Sequence, residues 1–256
     1  MRVERCGDLT LATLTPPQSN VADGAPDDAV VPTSGAHCLV IDISGSMDVA
    51  ATVTNDDGDK VDHGWALLDI AKHAACTYIM SLGSSDFLTV VVYSSSSRVQ
   101  APWQPCTDDG KATLCASVRA LRTEGATNLR DGIKNGYGQF CALPEEVAAA
   151  PKEYAMMLAI ATDGMPSTQY DPSQGYPALV ASLREEVVEM HGAAAAPNVV
   201  TIGLGNQLSS SLMASFADAF LHMPDPGSVG PFMVNLLAAT RATAKLTVNG
   251  AGLTAN

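Results

Sequence analysis

From His37 the chain runs through four consecutive apolar residues, Cys38, Leu39, Val40 and Ile41, and then turns polar with Asp42, Ser44, Gly45 and Ser46. An unbroken apolar run, in place of strict alternation, predicts a central strand buried on both faces. Phe87 to Tyr93, Glu153 to Ala161 and Val199 to Leu204 have the same character. Between them the period changes. Trp65, Leu68, Ala71, Ala75, Tyr78, Ile79 and Leu82 recur at steps of three and four, predicting a helix with one apolar face. Further helices are expected from Asp108, as cap, to about Arg122, from Leu129 to Cys141, from Tyr176 to His191 and from Ser209 to Leu221. Ser94 to Ser97 makes a turn, and Arg98 to Trp103 returns as a short edge strand. Strands alternating with helices give the fold class: α/β, doubly wound, a mostly parallel central sheet flanked by helices.

The ends follow a different pattern. Val3, Cys6, Leu9, Leu11 and Leu14 alternate weakly before Pro16-Pro17, which reads as one strand or a hairpin. Residues 16–35 carry Pro, Asp, Ser and Gly and read as a linker. Pro224-Asp225-Pro226-Gly227 breaks the chain again; Pro231 then opens a helix to about Ala242, and Ala244 to Val248 reads as a last strand. The organisation expected is a β segment and linker over 1–35, the central domain over 36–222, and a helix-and-strand extension over 223–256. Both end segments keep an apolar side, so residues 1–15 and 244–253 are expected to lie near each other outside the main sheet, packed on the last helix through Phe232, Leu236 and Leu237 or on another chain.

Chemistry concentrates where the first central strand stops. In open α/β sheets ligands bind beyond the carboxyl ends of the strands. Asp42, Ser44 and Ser46 offer only oxygen there, which suits a hard cation, Mg²⁺ first. Asp42-Ile43-Ser44-Gly45-Ser46 resembles the D-x-S-x-S turn of the metal-ion-dependent adhesion site in von Willebrand factor A domains. Gly125-Ala126-Thr127-Asn128-Leu129 resembles that family's threonine segment, and Thr162-Asp163-Gly164-Met165-Pro166 its T-D-G-x-P segment, in the family's order. The resemblance covers about Ala36 to Phe220. It implies that Ser44, Ser46 and Thr127 touch the metal directly and that Asp42 and Asp163 act partly through water. It also implies Mg²⁺, with Mn²⁺ or Ca²⁺ as alternatives, and a protein partner that presents Asp or Glu to the metal. In this family flanking strands sometimes build a small β-sandwich, a precedent for the short β extensions that the sequence pattern predicts at both termini.

Charge and cysteine usage narrow the setting. Of 256 residues, 46% are hydrophobic, enough for a full core. Acidic residues outnumber basic ones 27 to 14, for a formal charge of −13, a field that disfavours nucleic acid and anionic lipid. No stretch is long and apolar enough to predict a membrane span, and Met1 to Asp8 shows no signal-peptide core. None of the six Cys falls in C-x-x-C, and no His stands at zinc spacing. A reducing, cytoplasmic setting is the expectation. Asn55 to Asp59 looks like a calcium loop but lacks the ligand spacing and the closing Glu, so a solvated loop is expected. Asp131, in the first turn of its helix, is expected to complement that helix's N-terminus.

Three functions fit these features to different degrees. A metal-dependent binding module accounts for all three segments. An assembly component of a larger protein accounts for the end strands. A Mg²⁺-dependent phosphoryl-transfer enzyme is disfavoured: the haloacid-type phosphatases carry a second Asp where Ser44 stands, and there is no G-x-x-x-x-G-K-[ST] phosphate loop. A G-x-S-x-G nucleophile elbow is missing too. No enzymatic activity is expected.

Overall fold

The computed structural model describes residues 2–6, 9–13, 32, 34–54, 60–205 and 208–223. The chain begins with an antiparallel hairpin, β1 (Arg2–Cys6) and β2 (Leu9–Thr13), which forms its own two-stranded sheet. The main sheet starts at β3 (Ser34–Asp42). A second hairpin, β4 (Ala50–Thr54) and β5 (Lys60–Ala66), precedes helix α1 (Leu67–Ser81). Then come β6 (Phe87–Tyr93), β7 (Ser97–Pro105), α2 (Asp108–Arg119), α3 (Leu129–Cys141), α4 (Glu145–Ala149) and β8 (Tyr154–Thr162). The described chain closes with α5 (Gly175–His191), β9 (Asn198–Leu204), α6 (Ser210–Phe216) and β10 (Ala219–Met223).

The main sheet has the order β10-β9-β8-β3-β6-β7. Every pairing is parallel except β6 with the edge strand β7. The chain builds outward from β3 to β6 and β7, then returns to β3's other side for β8, β9 and β10. The winding reverses at β3, so a crevice opens at the carboxyl ends of β3 and its neighbours.

The run Cys38 to Ile41 is buried on both faces, as its sequence predicts. Leu39 and Ile41 point into a core shared with α1 and α2; Ala36, Cys38 and Val40 point into a second core shared with α3, α5 and α6. Each fully buried aliphatic side chain of this kind contributes roughly 1.5–3 kcal/mol. Helix α3 comes unusually close to the sheet. A Cβ on Gly132 would lie 2.6 Å from Tyr93 Cδ1, and one on Gly136 2.8 Å from Leu158 and Val40. These two glycines let the helix that follows Thr127 settle directly on β3, β6 and β8.

Several expectations need correction. Trp65 is not on the face of α1; it sits in β5, 40% exposed, edge-on to His73. The helix expected over Ser209 to Leu221 stops at Phe216, because Ala219 to Met223 pairs with β9 and widens the sheet. Thr107, and not Asp108, caps α2, its Oγ1 accepting from Gly110 N at 3.2 Å. Asp131 does more than complement a helix end: its Oδ2 accepts from Ser97 N (2.6 Å) and Ser97 Oγ (2.8 Å), tying α3 to the edge strand. The Asn55–Asp59 loop, the segments after Met223 and the expected pairing of 1–15 with 244–253 lie outside the described residues.

Candidate metal centre

Asp42 is the last residue of β3. In the parallel register it stands beside Tyr93 of β6; on the other side Ile41 pairs with Ala161, bringing Asp42 alongside Thr162 of β8. Both neighbours use that placement. Tyr93 OH donates to Asp42 Oδ2 at 3.0 Å and Thr162 Oγ1 donates to the same oxygen at 2.7 Å. Ser44 N donates to Oδ1 at 2.8 Å, closing the turn after the strand. Three of the carboxylate's roughly four lone-pair positions are therefore engaged by protein. Ser44 Oγ and Ser46 Oγ lie 3.1 Å apart, so the two hydroxyls of the turn point into the same space.

Backbone hydrogen bonds lock three loops together at this end of the sheet. Gly45 N donates to Gly125 O at 3.1 Å, and Glu124 N to Ile43 O at 2.6 Å, joining the serine turn to the threonine loop. Asn128 N donates to Ser94 O, and its side chain caps α3 by accepting from Asp131 N. Ser167 N donates to Thr127 O at 2.9 Å, while Thr127 N donates to Ser167 Oγ at 3.3 Å, joining the threonine loop to the segment after Asp163. Gly125 and Gly164 take positive φ, +64° and +74°, a conformation that strains other residues, and each sits where its loop reverses.

Asp42, Ser44, Thr127 and Asp163 are all buried, and Ser46 is half-buried. Burial and the neighbouring Asp163 carboxylate push the Asp42 carboxyl up to about 6, against which the bonds from Ser44 and Thr162 work. No basic side chain among the described residues forms an ion pair with either aspartate. The candidate donors are two carboxylates and three hydroxyls. No three His, Cys, Asp or Glu side chains gather anywhere among the described residues, so a nitrogen–sulfur site is not what this end of the sheet provides. All-oxygen donors beside adjacent, unpaired carboxylates fit a hard divalent cation.

Sequence reasoning named all five of these residues but missed their supports. Tyr93 and Thr162 are readable as Asp42 partners only once the strand register is known. Val49 and Met165, 57% and 55% exposed, flank the serine turn and the Asp163 loop with apolar side chains. An apolar residue inside a polar loop was the available signal for both.

The family model for the von Willebrand factor type A domain matches residues 59–220, a span that includes Thr127 and Asp163 and begins after Asp42–Ser46. No curated protein sequence matches. Solved structures share the fold at low identity. One is a von Willebrand factor type A protein from Catenulispora acidiphila, with TM-score 0.59 and 17% identity, covering 81% of this chain and 43% of that one. Another is the PilB minor pilin from Streptococcus sanguinis, with TM-score 0.59 and 15% identity, covering 89% and 65%. A third is the conserved hypothetical protein BatB from Bacteroides thetaiotaomicron, with TM-score 0.58 and 13% identity, covering 80% and 98%. With the family model matching more than half of its length, the chain belongs to the von Willebrand factor type A domain family.

Proposed function

We propose that this domain is a metal-dependent protein-binding module. Ser44, Ser46 and Thr127 would hold Mg²⁺ directly, with Asp42 and Asp163 acting partly through water. A partner's Asp or Glu would complete the coordination. The observation that carries this reading is the convergence of three hydrogen-bonded loops on a buried carboxylate whose neighbour is another carboxylate. Such a pair is costly without a cation. The metal would supply positive charge at an otherwise acidic edge, and Val49 and Met165 would add apolar contact around it.

Isothermal calorimetry of Mg²⁺ binding tests the site. Asp42→Ala should weaken binding by at least about tenfold while the fold survives, because Asp42 is the last residue of β3 and the core packing of the strand ends before it. Equal affinity in wild type and variant would remove the assignment. A pull-down run with Mg²⁺ and with chelator then tests the partner. A protein retained equally in both would contradict metal-mediated recognition.

A second reading, an assembly component, is favoured by the β1–β2 hairpin, which forms a sheet of its own. Two strands alone are marginal in water and gain from a further surface. Analytical ultracentrifugation of the full chain against one lacking residues 1–15 tests it. An unchanged, monomeric sedimentation profile for both would count against assembly through this end.

A further inference from the structure

A binding module with a formal charge of −13 that recognises carboxylates faces repulsion from its own ligand, which one metal ion at the edge offsets only locally. Beside the candidate metal centre the surface has the opposite character. A cleft of about 250 Å³ opens between α3 and α5, lined among others by Arg130, Lys134, Ser173, Gln174, Leu179 and Ser182. Arg130 and Lys134 are four residues apart on α3 and share one face of that helix. Neither forms an ion pair within the described residues, whereas Lys72, Arg98 and Arg184 each pair with a carboxylate. Two acidic groups on the same elements are engaged elsewhere. Asp131 accepts from Ser97, and Asp171 Oδ1 accepts from Tyr176 OH at 3.1 Å.

The cleft and the metal centre are built from the same two walls. Arg130 lies three residues past Thr127, in the first turn of α3. The opposite wall belongs to the segment that leaves Asp163, is fastened to Thr127 through Ser167, and runs on to Ser173 and Gln174. A rise of about 6 Å, just over one helical turn, separates Arg130 from Lys134 along α3.

We infer that this cleft is the second anchor of the partner site: it receives a second Asp or Glu of the same acidic peptide segment whose first carboxylate meets the metal. This rests on the metal-dependent reading above. The occupant is committed by charge. Two cations without carboxylate partners among the described residues, neutral hydroxyl and amide donors, and the apolar side chain of Leu179 in the lining suit an anionic side chain with its methylene stem. At roughly 3.3 Å per residue in an extended strand, a second acid two to four residues from the first spans about 7–13 Å, comparable with the one to two helical turns of α3 that carry Arg130 and Lys134 past the Thr127 loop. Two tethered contacts raise affinity because the second forms at high effective concentration.

Fluorescence anisotropy with labelled Gly/Ser peptides tests the inference. One peptide carries a single Asp, and others carry a second Glu two, three or four residues away. In Mg²⁺, at least one spacing should bind the wild type about tenfold more tightly than the single-Asp peptide. The double variant Arg130→Gln/Lys134→Gln should lose that gain and keep the single-Asp affinity, with calorimetric Mg²⁺ binding unchanged to show an intact fold. A gain that survives in the double variant overturns the cleft assignment, as does metal-dependent single-Asp binding with no gain at any spacing. Two-acid binding that resists chelator but is lost in the double variant keeps the cleft and overturns the metal reading. No binding of any peptide in Mg²⁺ overturns both.

Discussion

Two buried aspartates sit at opposite ends of the β3–β6 pair, and their surroundings differ. Asp86, just before β6, accepts from Gly35 N at 2.7 Å and from Gly83 N at 2.6 Å. Its own carbonyl accepts from Cys106 N. It fastens the amino end of β3 and the carboxyl end of β7 to one turn. Asp42, at the carboxyl end of β3, is also well bonded, to Ser44, Thr162 and Tyr93. The difference is the second carboxylate: Asp163 stands close enough to Asp42 to help drive its carboxyl up to about 6. Satisfying a buried carboxylate with backbone N–H groups makes a structural fastener. Placing a like charge beside one makes a site that gains from a cation.

The comparison breaks if Asp86 proves dispensable. Asp86→Ala leaves two backbone N–H groups without their acceptor in the interior, each worth about 1–3 kcal/mol, so urea denaturation should show a loss of roughly 3 kcal/mol. Mg²⁺ affinity, read at a temperature where the variant is folded, should stay within about twofold of wild type, since Asp86 is at the far end of the strand.

Asp42 should show its difference in metal-free protein as a pH effect. Its folded carboxyl titrates at about 6 against an ordinary 3.8, so the folded state keeps the proton to higher pH than the unfolded chain. Folding therefore takes up a proton between about 4 and 6, and stability falls as pH rises through that window. Below it the carboxyl is neutral in both states and the penalty is absent. The full effect is on the order of 3 kcal/mol. Stability measured in chelator should decline across this range relative to Asp42→Ala, and saturating Mg²⁺ should flatten the decline. A wild-type profile in chelator parallel to the variant's would contradict the strained pair.

A smaller effect separates support of the site from the site itself. Gly132→Ala puts a methyl 2.6 Å from Tyr93 Cδ1, and Tyr93 OH holds Asp42 Oδ2. Overpacking of this kind costs about 1–3 kcal/mol. The shift of Tyr93 should also weaken Mg²⁺ by a few-fold, an effect of roughly 1 kcal/mol. Gly138→Ala, on the same helix with nothing within 4 Å of its new Cβ, should instead stabilise by about 0.5–1 kcal/mol and leave Mg²⁺ binding alone. Equal outcomes for the two glycines would remove the packing argument.

These contrasts also show what the sequence could carry. Phe87–Tyr93 and Leu129–Cys141 were legible to the residue, because a Val-rich run and a 3–4 period each have one interpretation. The three segments that carry the five candidate ligands stood out because each falls at a strand end or a helix start, in the order that the family resemblance implies. The β4–β5 hairpin was not, since its strands are short and Thr, Lys, Asp and His interrupt their apolar residues without a clean period. Ala219 to Leu221 read as the end of a helix because the strand that holds them is made by pairing with β9, a tertiary fact. Tyr93, Thr162 and Gly132 escaped for the same reason: their roles follow from register and from how closely α3 approaches, neither of which a single sequence displays.

The smallest expected effect comes from a third carboxylate that touches the same loops from outside. Glu124 precedes Gly125, and its Oε1 accepts from Arg98 Nη1 at 2.5 Å, with both side chains about half exposed. Its structural contribution runs through the backbone, where Glu124 N donates to Ile43 O, and Glu124→Gln leaves that bond in place. An exposed ion pair is worth little once water and salt screen it, so stability should change by less than about 0.5 kcal/mol. Cation binding responds to the lost charge through space. Removing one negative group near the loops should weaken Mg²⁺ by less than about threefold at low ionic strength, and the difference should vanish at high salt, where the screening length falls to about 3 Å. Calorimetry of the variant at both ionic strengths reads this directly. A large, salt-independent loss would move Glu124 into the coordinating set beside Asp42 and Asp163, and the division between bonded, paired and exposed carboxylates would have to be redrawn.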